Sequence, residues 1–235
     1  LWVEGWSQPS NTKWNEKRQL LWVKGRALEN IHSDGISGVS YTIGLRYETD
    51  GSIIWNRRGL VIEGATQLTV WLTAATDMFE KDMESVCCRR LEEAVQNGWE
   101  KVRAEHVKEH RAGMEQCSFT MPDTHADLPT EQRIRAFAEN KGGDDGLIAL
   151  FFQYGRYLIF NSSRPDSVVP AALQGVWNDD RACRMEWTDD MHLDINTQMN
   201  YYPAENTGLG ECVQPLFRWI KDALVSHGKK MAREL

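Results

Sequence analysis

Met191 to Asn206 reads MHLDINTQMNYYPAEN, and its first half alternates: Met191, Leu193 and Ile195 are apolar, His192, Asp194 and Asn196 polar. Successive side chains of an extended segment point to opposite faces, so the alternation sets an imidazole, a carboxylate and an amide in one row. The apolar three would hold the segment down while the polar three face a cavity. Groups that both donate and accept hydrogen bonds suit a polyhydroxylated ligand. The same residues also read as a half-buried strand or turn whose Asp194 or Asn196 caps the helix that follows. Both readings stand on the residues alone.

Upstream, Asn161 to Asp190 forms a loop of about thirty residues, a length that in compact domains marks a functional or a disordered segment. Its Trp177, Trp187, Pro165 and Pro170, with the apolar run from Val168 to Leu173, favour an ordered functional loop. The run from Leu147 to Phe160 is apolar nearly all round, which predicts a helix buried on most sides in a layered all-α domain, capped by Asp144 or Asp145 after Gly142-Gly143. Downstream, Val213, Leu216, Phe217, Ile220, Ala223 and Leu224 predict another long helix, closed by Gly228.

The amino-terminal half has a different period. Val39, Tyr41, Ile43, Leu45 and Tyr47 alternate with polar residues or glycine, predicting a strand, and Asp50-Gly51 predicts a tight hairpin turn after it. Ile53 to Trp55, Leu60 to Ile62 and Leu68 to Leu72 predict three more strands, and residues 1 to 37 read as further β structure. From Phe79 to Val95 apolar residues recur at three and four, an amphipathic helix with Asp77 as its cap, interrupted at Asn97-Gly98. His106 and His110 stand four apart, but Val107, Lys108 and Glu109 between them fit a solvated helix face better than a metal grip. Ser118 to Met121 predicts a short strand, Pro122 to Pro129 a linker, and Thr130-Glu131 opens a short helix through Ile134 and Phe137.

The 235 residues carry a net charge of -7, with no concentrated basic face, which argues against nucleic acid. There is no apolar run of membrane-spanning length, and no secretory leader is expected within these residues, any signal lying upstream of them. The chain opens at Leu1 and ends within a helical pattern, from which a longer polypeptide is expected; secreted and cytoplasmic origins both remain open, as does the oligomeric state. Five cysteines without paired spacing read as thiols, not as a zinc site or disulfide framework, so no metal and no cofactor are expected. Ten tryptophans favour some stacking on sugar rings beside their use in the core.

FFQYGRYLIFNSSRPDSVVPAALQGVWNDD (Phe151 to Asp180) followed by HLDINTQMNYYPAEN (His192 to Asn206) resembles glycoside hydrolase family 95, the inverting 1,2-α-L-fucosidases. The likeness is strongest from Leu147 to Phe217 and weakest before Gly25, and Pro129-Thr130-Glu131-Gln132-Arg133 looks like the family's PTDER-type segment. It implies a multidomain α and β chain: residues 1–76 end an antiparallel β-sandwich domain, 77–140 form a helical linker, and 141–235 begin an (α/α)6 barrel. It also implies removal of terminal α-L-fucose, or the closely similar L-galactose, from an oligosaccharide or glycan, with inversion. Asn196 matches the second asparagine of the family's His-Leu-Asn-Ile-Asn motif, which holds the catalytic water, and Asp194 stands where the first asparagine is often found. His192 matches a sugar ligand, and Gln174, Trp177 and Asn178 match wall and subsite residues. The general acid and the activating aspartate are expected beyond Leu235, so the 235 residues alone are expected to be inactive. Two other readings are a non-catalytic carbohydrate-binding homologue and an inactive truncated piece.

Overall fold

The computed structural model describes residues 10–27, 38–56, 59–140, 142–177 and 189–234. They fall into two compact units, one within residues 1–106 and one within 107–177 and 189–234.

The first unit holds six strands: β1 (Ser10–Asn15), β2 (Leu20–Arg26), β3 (Ser40–Thr49), β4 (Ser52–Asn56), β5 (Gly59–Glu63) and β6 (Leu68–Thr76). Four make an antiparallel sheet in the order β1-β2-β3-β6, and β4 and β5 pair as a separate hairpin. Leu20, Leu21, Trp22 and Val23 of β2 are buried in succession, as a strand covered on both faces requires. Leu20 and Trp22 pack with Trp71, Ala75 and the helical residues Cys87 and Leu91; Leu21 packs with Leu45, Tyr47 and the hairpin residues Ile53, Leu60 and Ile62. The sheet is therefore the middle layer, with a helix on one side and the hairpin on the other. Gly44 is where that helix leans in, since a Cβ there would lie 2.8 Å from the Trp22 ring and 3.1 Å from Leu91.

Asp50-Gly51 does not make the expected hairpin turn. Gly51 lacks the positive φ such a turn needs, and β3 pairs with β2 and β6, so at Asp50 the chain leaves the sheet for the β4–β5 hairpin. The Asp50 carboxylate instead ties the hairpin's base, accepting the backbone N–H groups of Thr66 and Gln67 at 2.9 Å each and the Thr66 hydroxyl. These donors, the hydroxyl foremost, hold its pKa down to about 2.

Helix α1 (Met83–Met114) breaks at Gly98, where the Asn97-Gly98 pair predicted an interruption. Its cap is Asp82, which accepts from the Ser85 N–H at 3.1 Å and its hydroxyl at 2.6 Å. Asp77 is instead spent on the Ser40 N–H at the start of β3, 2.9 Å away. Ser118 to Met121 is irregular, not a strand.

The second unit continues with α2 (Thr130–Asn140), α3 (Asp145–Ser162), α4 (Asn196–Asn206), α5 (Gln214–Trp219) and α6 (Val225–Glu234), the last two joined by a π-helical turn at Ile220–Leu224. Gly228 lies inside α6 and does not end it; a lone glycine costs a helix only about 1 kcal/mol. Asp144 caps α3 through the Leu147 N–H at 2.8 Å and takes two bonds from the buried Arg133, at 2.9 and 2.7 Å. Arg133 also reaches Asp123 at 3.0 Å, so one guanidinium fixes the linker, α2 and the start of α3. The Arg133 bonds hold the Asp144 carboxyl at a pKa of about 2.

Arg156 is the other node. Only 2% exposed, it gives its Nε–H to Thr207 O at 3.0 Å, and its two terminal nitrogens to Met114 O, Cys117 O and Gln153 Oε1 at 2.8, 2.8 and 2.9 Å and to Gly113 O at 3.4 Å. The opposite side of α3 is open: Phe151 is 76% exposed, so an all-round apolar sequence is covered on one side only among the described residues. No described helix is long and apolar enough to cross a membrane. Among the described residues, Cys87, Cys88, Cys117 and Cys212 are free thiols.

Arg156→Leu would strand four carbonyls that have lost their donor, and a loss of about 3 kcal/mol or more in urea unfolding is expected; Arg156→Lys, with at most three N–H donors, recovers part. Asp50 and Asp144 both fall from 3.8 to about 2 on folding, so their contributions are whole above pH 3.8 and disappear as pH falls toward 2. Asp144→Asn is expected to flatten the acid limb of the melting temperature in that window, measured by circular dichroism.

Candidate active site

The carboxy-terminal turns of α3, the segment 171–177 and α4 enclose a cavity of about 460 Å3. Its wall includes Tyr154 and Ser162 of α3, Gln174, Gly175 and Trp177 of the loop, and Asn200 of α4. Of the six residues expected at the site, the structure thus brings Gln174 and Trp177 together. Asn178 lies outside the described residues, and His192, Asp194 and Asn196 are not among the lining groups.

The loop is held by a hydrogen-bond chain whose direction is determined. Ser163 donates its single hydroxyl proton to Cys212 O at 2.8 Å, so at the 2.7 Å contact with Tyr201 it must accept; Tyr201 in turn accepts the Ala171 N–H at 2.8 Å. Burial pushes the Tyr201 phenol up, which keeps that donor protonated. Beyond Ala171, Gly175 has φ 77°, and a Cβ there would lie 2.8 Å from the Trp177 ring. Only glycine meets both demands, which explains the glycine between Gln174 and Trp177. Trp177 in turn lies nearly parallel to Tyr157 (centroids 6.5 Å, 29°), and Tyr157 to Tyr154 (6.1 Å, 11°), making an aromatic ladder beside the cavity. His110 packs edge-on against Tyr157 and Phe160, at 6.0 and 5.6 Å. Among the described residues no group of three or more His, Cys, Asp or Glu side chains is placed to hold a metal ion.

The 191–195 segment differs from the extended row that its alternation suggests. Leu193 to Ile195 form a turn and Asn196 is the first residue of α4, so His192, Asp194 and Asn196 do not share one face of a strand. Nor do the apolar residues anchor it, since Leu193 and Ile195 are exposed. Helix-start chemistry has won: His192 O accepts the Thr197 N–H at 2.9 Å, and Gln198 accepts the Ile195 N–H at 3.1 Å while donating to Leu193 O at 2.7 Å. The turn forces Ile195, a β-branched residue, to φ 104°.

Asn196 remains tied to the cavity through its helix. Asn200 follows it by four, one turn on along the same face of α4, and its side chain donates to Ala172 O at 3.0 Å. Asn200 is a site residue that the motif reading passed over, although the four-residue spacing of the two asparagines was there to find. Asp189 is the second: its carboxylate accepts the Gln174 N–H at 2.6 Å, and burial raises its pKa. Among the described residues the lining thus combines an aromatic wall with amide groups and includes no carboxylate, a chemistry compatible with a neutral polyhydroxylated molecule.

Residues 98–235 match a catalytic domain of glycosyl hydrolases, described as the glycosyl hydrolase family 95 catalytic domain. The chain belongs to glycosyl hydrolase family 95. The match begins at Gly98, where α1 breaks. The chain is 33% identical over 144 residues to a probable alpha-fucosidase A of Aspergillus niger, covering 60% of this chain and 18% of that protein. It is 35% identical over 168 residues to a probable alpha-fucosidase A of Aspergillus oryzae (69% and 23%) and 32% identical over 158 residues to alpha-L-fucosidase 2 of Arabidopsis thaliana (65% and 18%). It therefore spans 18 to 23% of the length of these relatives.

Ile195 is 56% exposed, so replacing it loses little packing. Ile195→Gly is expected to relieve the positive φ and gain about 1 kcal/mol in urea unfolding. Ile195→Val, still branched, gains nothing.

Proposed function

We propose that this chain supplies part of the active site of an inverting α-L-fucosidase acting on terminal 1,2-linked fucose. The observation that carries the reading is the cavity itself, with Gln174 and Trp177 in its wall and Asn196 one helical turn from Asn200. The names of the three relatives give the sugar. In this reading Trp177 and the tyrosine ladder take the apolar face of the sugar, Gln174, Asn178 and His192 bond its hydroxyls, and Asn196 with Asp194 orients the attacking water.

Inversion asks for an acid and a base standing roughly 6.5–9.5 Å apart across the sugar ring. Among the described residues no carboxylate lines the cavity; in this proposal the acid that protonates the leaving oxygen lies outside these 235 residues, which are expected to release no fucose by themselves. The domain reading is part of the same proposal: residues 1–76 close a β-sandwich, 77–140 link, and 141–235 open an (α/α)6 barrel. The exposed apolar side of α3 around Phe151 fits a helix that other barrel helices cover.

A second reading is recognition without cleavage, favoured by Asp194 in the place of an asparagine and by its exposed position on the turn. The two part on one experiment. In a polypeptide of the relatives' length, proton NMR of 2'-fucosyllactose hydrolysis is expected to show β-L-fucose first, and Asn196→Ala to lower turnover about a hundred- to a thousandfold while the fold is kept. An α-fucose first product would contradict inversion. Binding with no release would favour the second reading.

A further inference from the structure

The first unit carries a cleft of its own, of about 670 Å3, that none of the foregoing uses. It lies where β1 and its following turn meet the end of β3 and the start of β4, and Trp14, Trp55, Tyr47, Glu16 and Gln19 line it. Trp14 and Trp55 are nearly parallel, centroids 6.5 Å apart at 22°, with Tyr47 tilted beside Trp14 at 6.2 Å.

We infer that this cleft is a second carbohydrate site, distinct from the helical cavity, for a neutral oligosaccharide. Three observations point there. First, Trp55 stands outside the buried cluster that joins the hairpin to the sheet and is 40% exposed, an indole held at the surface beside Trp14. Second, the polar complement is of the right kind. Glu16, from the turn after β1, and Gln19 offer a carboxylate and an amide to hydroxyl groups, while the indole faces take the C–H side of a pyranose ring. Glu48 also lines the cleft, but its carboxylate already accepts the Trp71 indole N–H. Third, among the described residues the lining includes acidic side chains and neither lysine nor arginine, a balance that disfavours sialylated, sulfated or uronic ligands and favours neutral sugars. The volume lies within the roughly 300–1,000 Å3 of small-molecule sites, room for more than one ring.

The test uses the 235-residue protein, titrated calorimetrically with cellotetraose, whose equatorial substituents leave flat C–H faces, and with sialyllactose as the anionic counterpart. Saturable binding of cellotetraose is expected, weakened about tenfold or more by Trp55→Ala, the scale of one lost stacking contact, and unchanged by Trp99→Ala, an exposed indole on α1 that lines neither cavity. Should Trp55→Ala lose its native circular dichroism, Glu16→Ala is read in its place, with a weakening of about threefold or more expected. Absence of saturable binding, equal affinity in the cleft variants, loss with Trp99→Ala alone, or preference for sialyllactose would each overturn the inference.

Discussion

A buried guanidinium, that of Arg156, governs the helical unit. Burying such a group costs several kcal/mol unless it is fully bonded. Its partners are mostly carbonyls rather than carboxylates, and their positions explain why this works. Gly113 and Met114 are the last residues of α1, whose terminal carbonyls have no partner within the helix, and Thr207 follows the last turn of α4. Arg156 therefore sits between the negative ends of two helix dipoles and answers both at once. Because it projects from α3, it fixes α4 relative to α3, and the cavity between those helices inherits that spacing.

The loop between α3 and α4 is positioned by a second, neutral network. Tyr201 and Ser163 pass one direction of hydrogen bonding from Ala171 to Cys212, and Asp189 with Asn200 ties the segment 172–174 from its other side. The groups proposed to touch sugar are thus carried on backbone held at several points. That is the condition under which aromatic stacking and amide hydrogen bonds discriminate between ligands rather than merely accommodate them.

Much of this was legible wherever a signal is local. The ten-residue alternation gave β3, Asn97-Gly98 gave the break in α1, and Asp144 after two glycines gave the cap of α3. The family likeness supplied Gln174 and Trp177, which do meet in one cavity. What escaped was non-local or contested. Nothing near Asp50 announces that the next two strands leave the sheet, because strand pairing is settled at a distance of some twenty residues. At Met191 to Asn196 a six-residue alternation competed with a helix start, and Gln198 with the His192 carbonyl decided it for the helix. Arg156 was hidden by its setting. Within Phe151 to Phe160 it passes as the odd residue of an apolar helix, whereas a charge in such a run is itself a sign of buried carbonyls waiting for a donor.

The Asp50 tether has a consequence for how the β unit tolerates change. The register between β3 and β6 closes with Thr49 opposite Leu68, so everything from Ser52 to Glu63 leaves and re-enters the sheet at one place, which Asp50 ties, and then packs back on the sheet through Ile53, Leu60 and Ile62. Trp55 rides on that inserted hairpin and Trp14 on the main sheet, so a substitution in the hairpin alters one wall of the cleft between them while the strand order of the main sheet is kept.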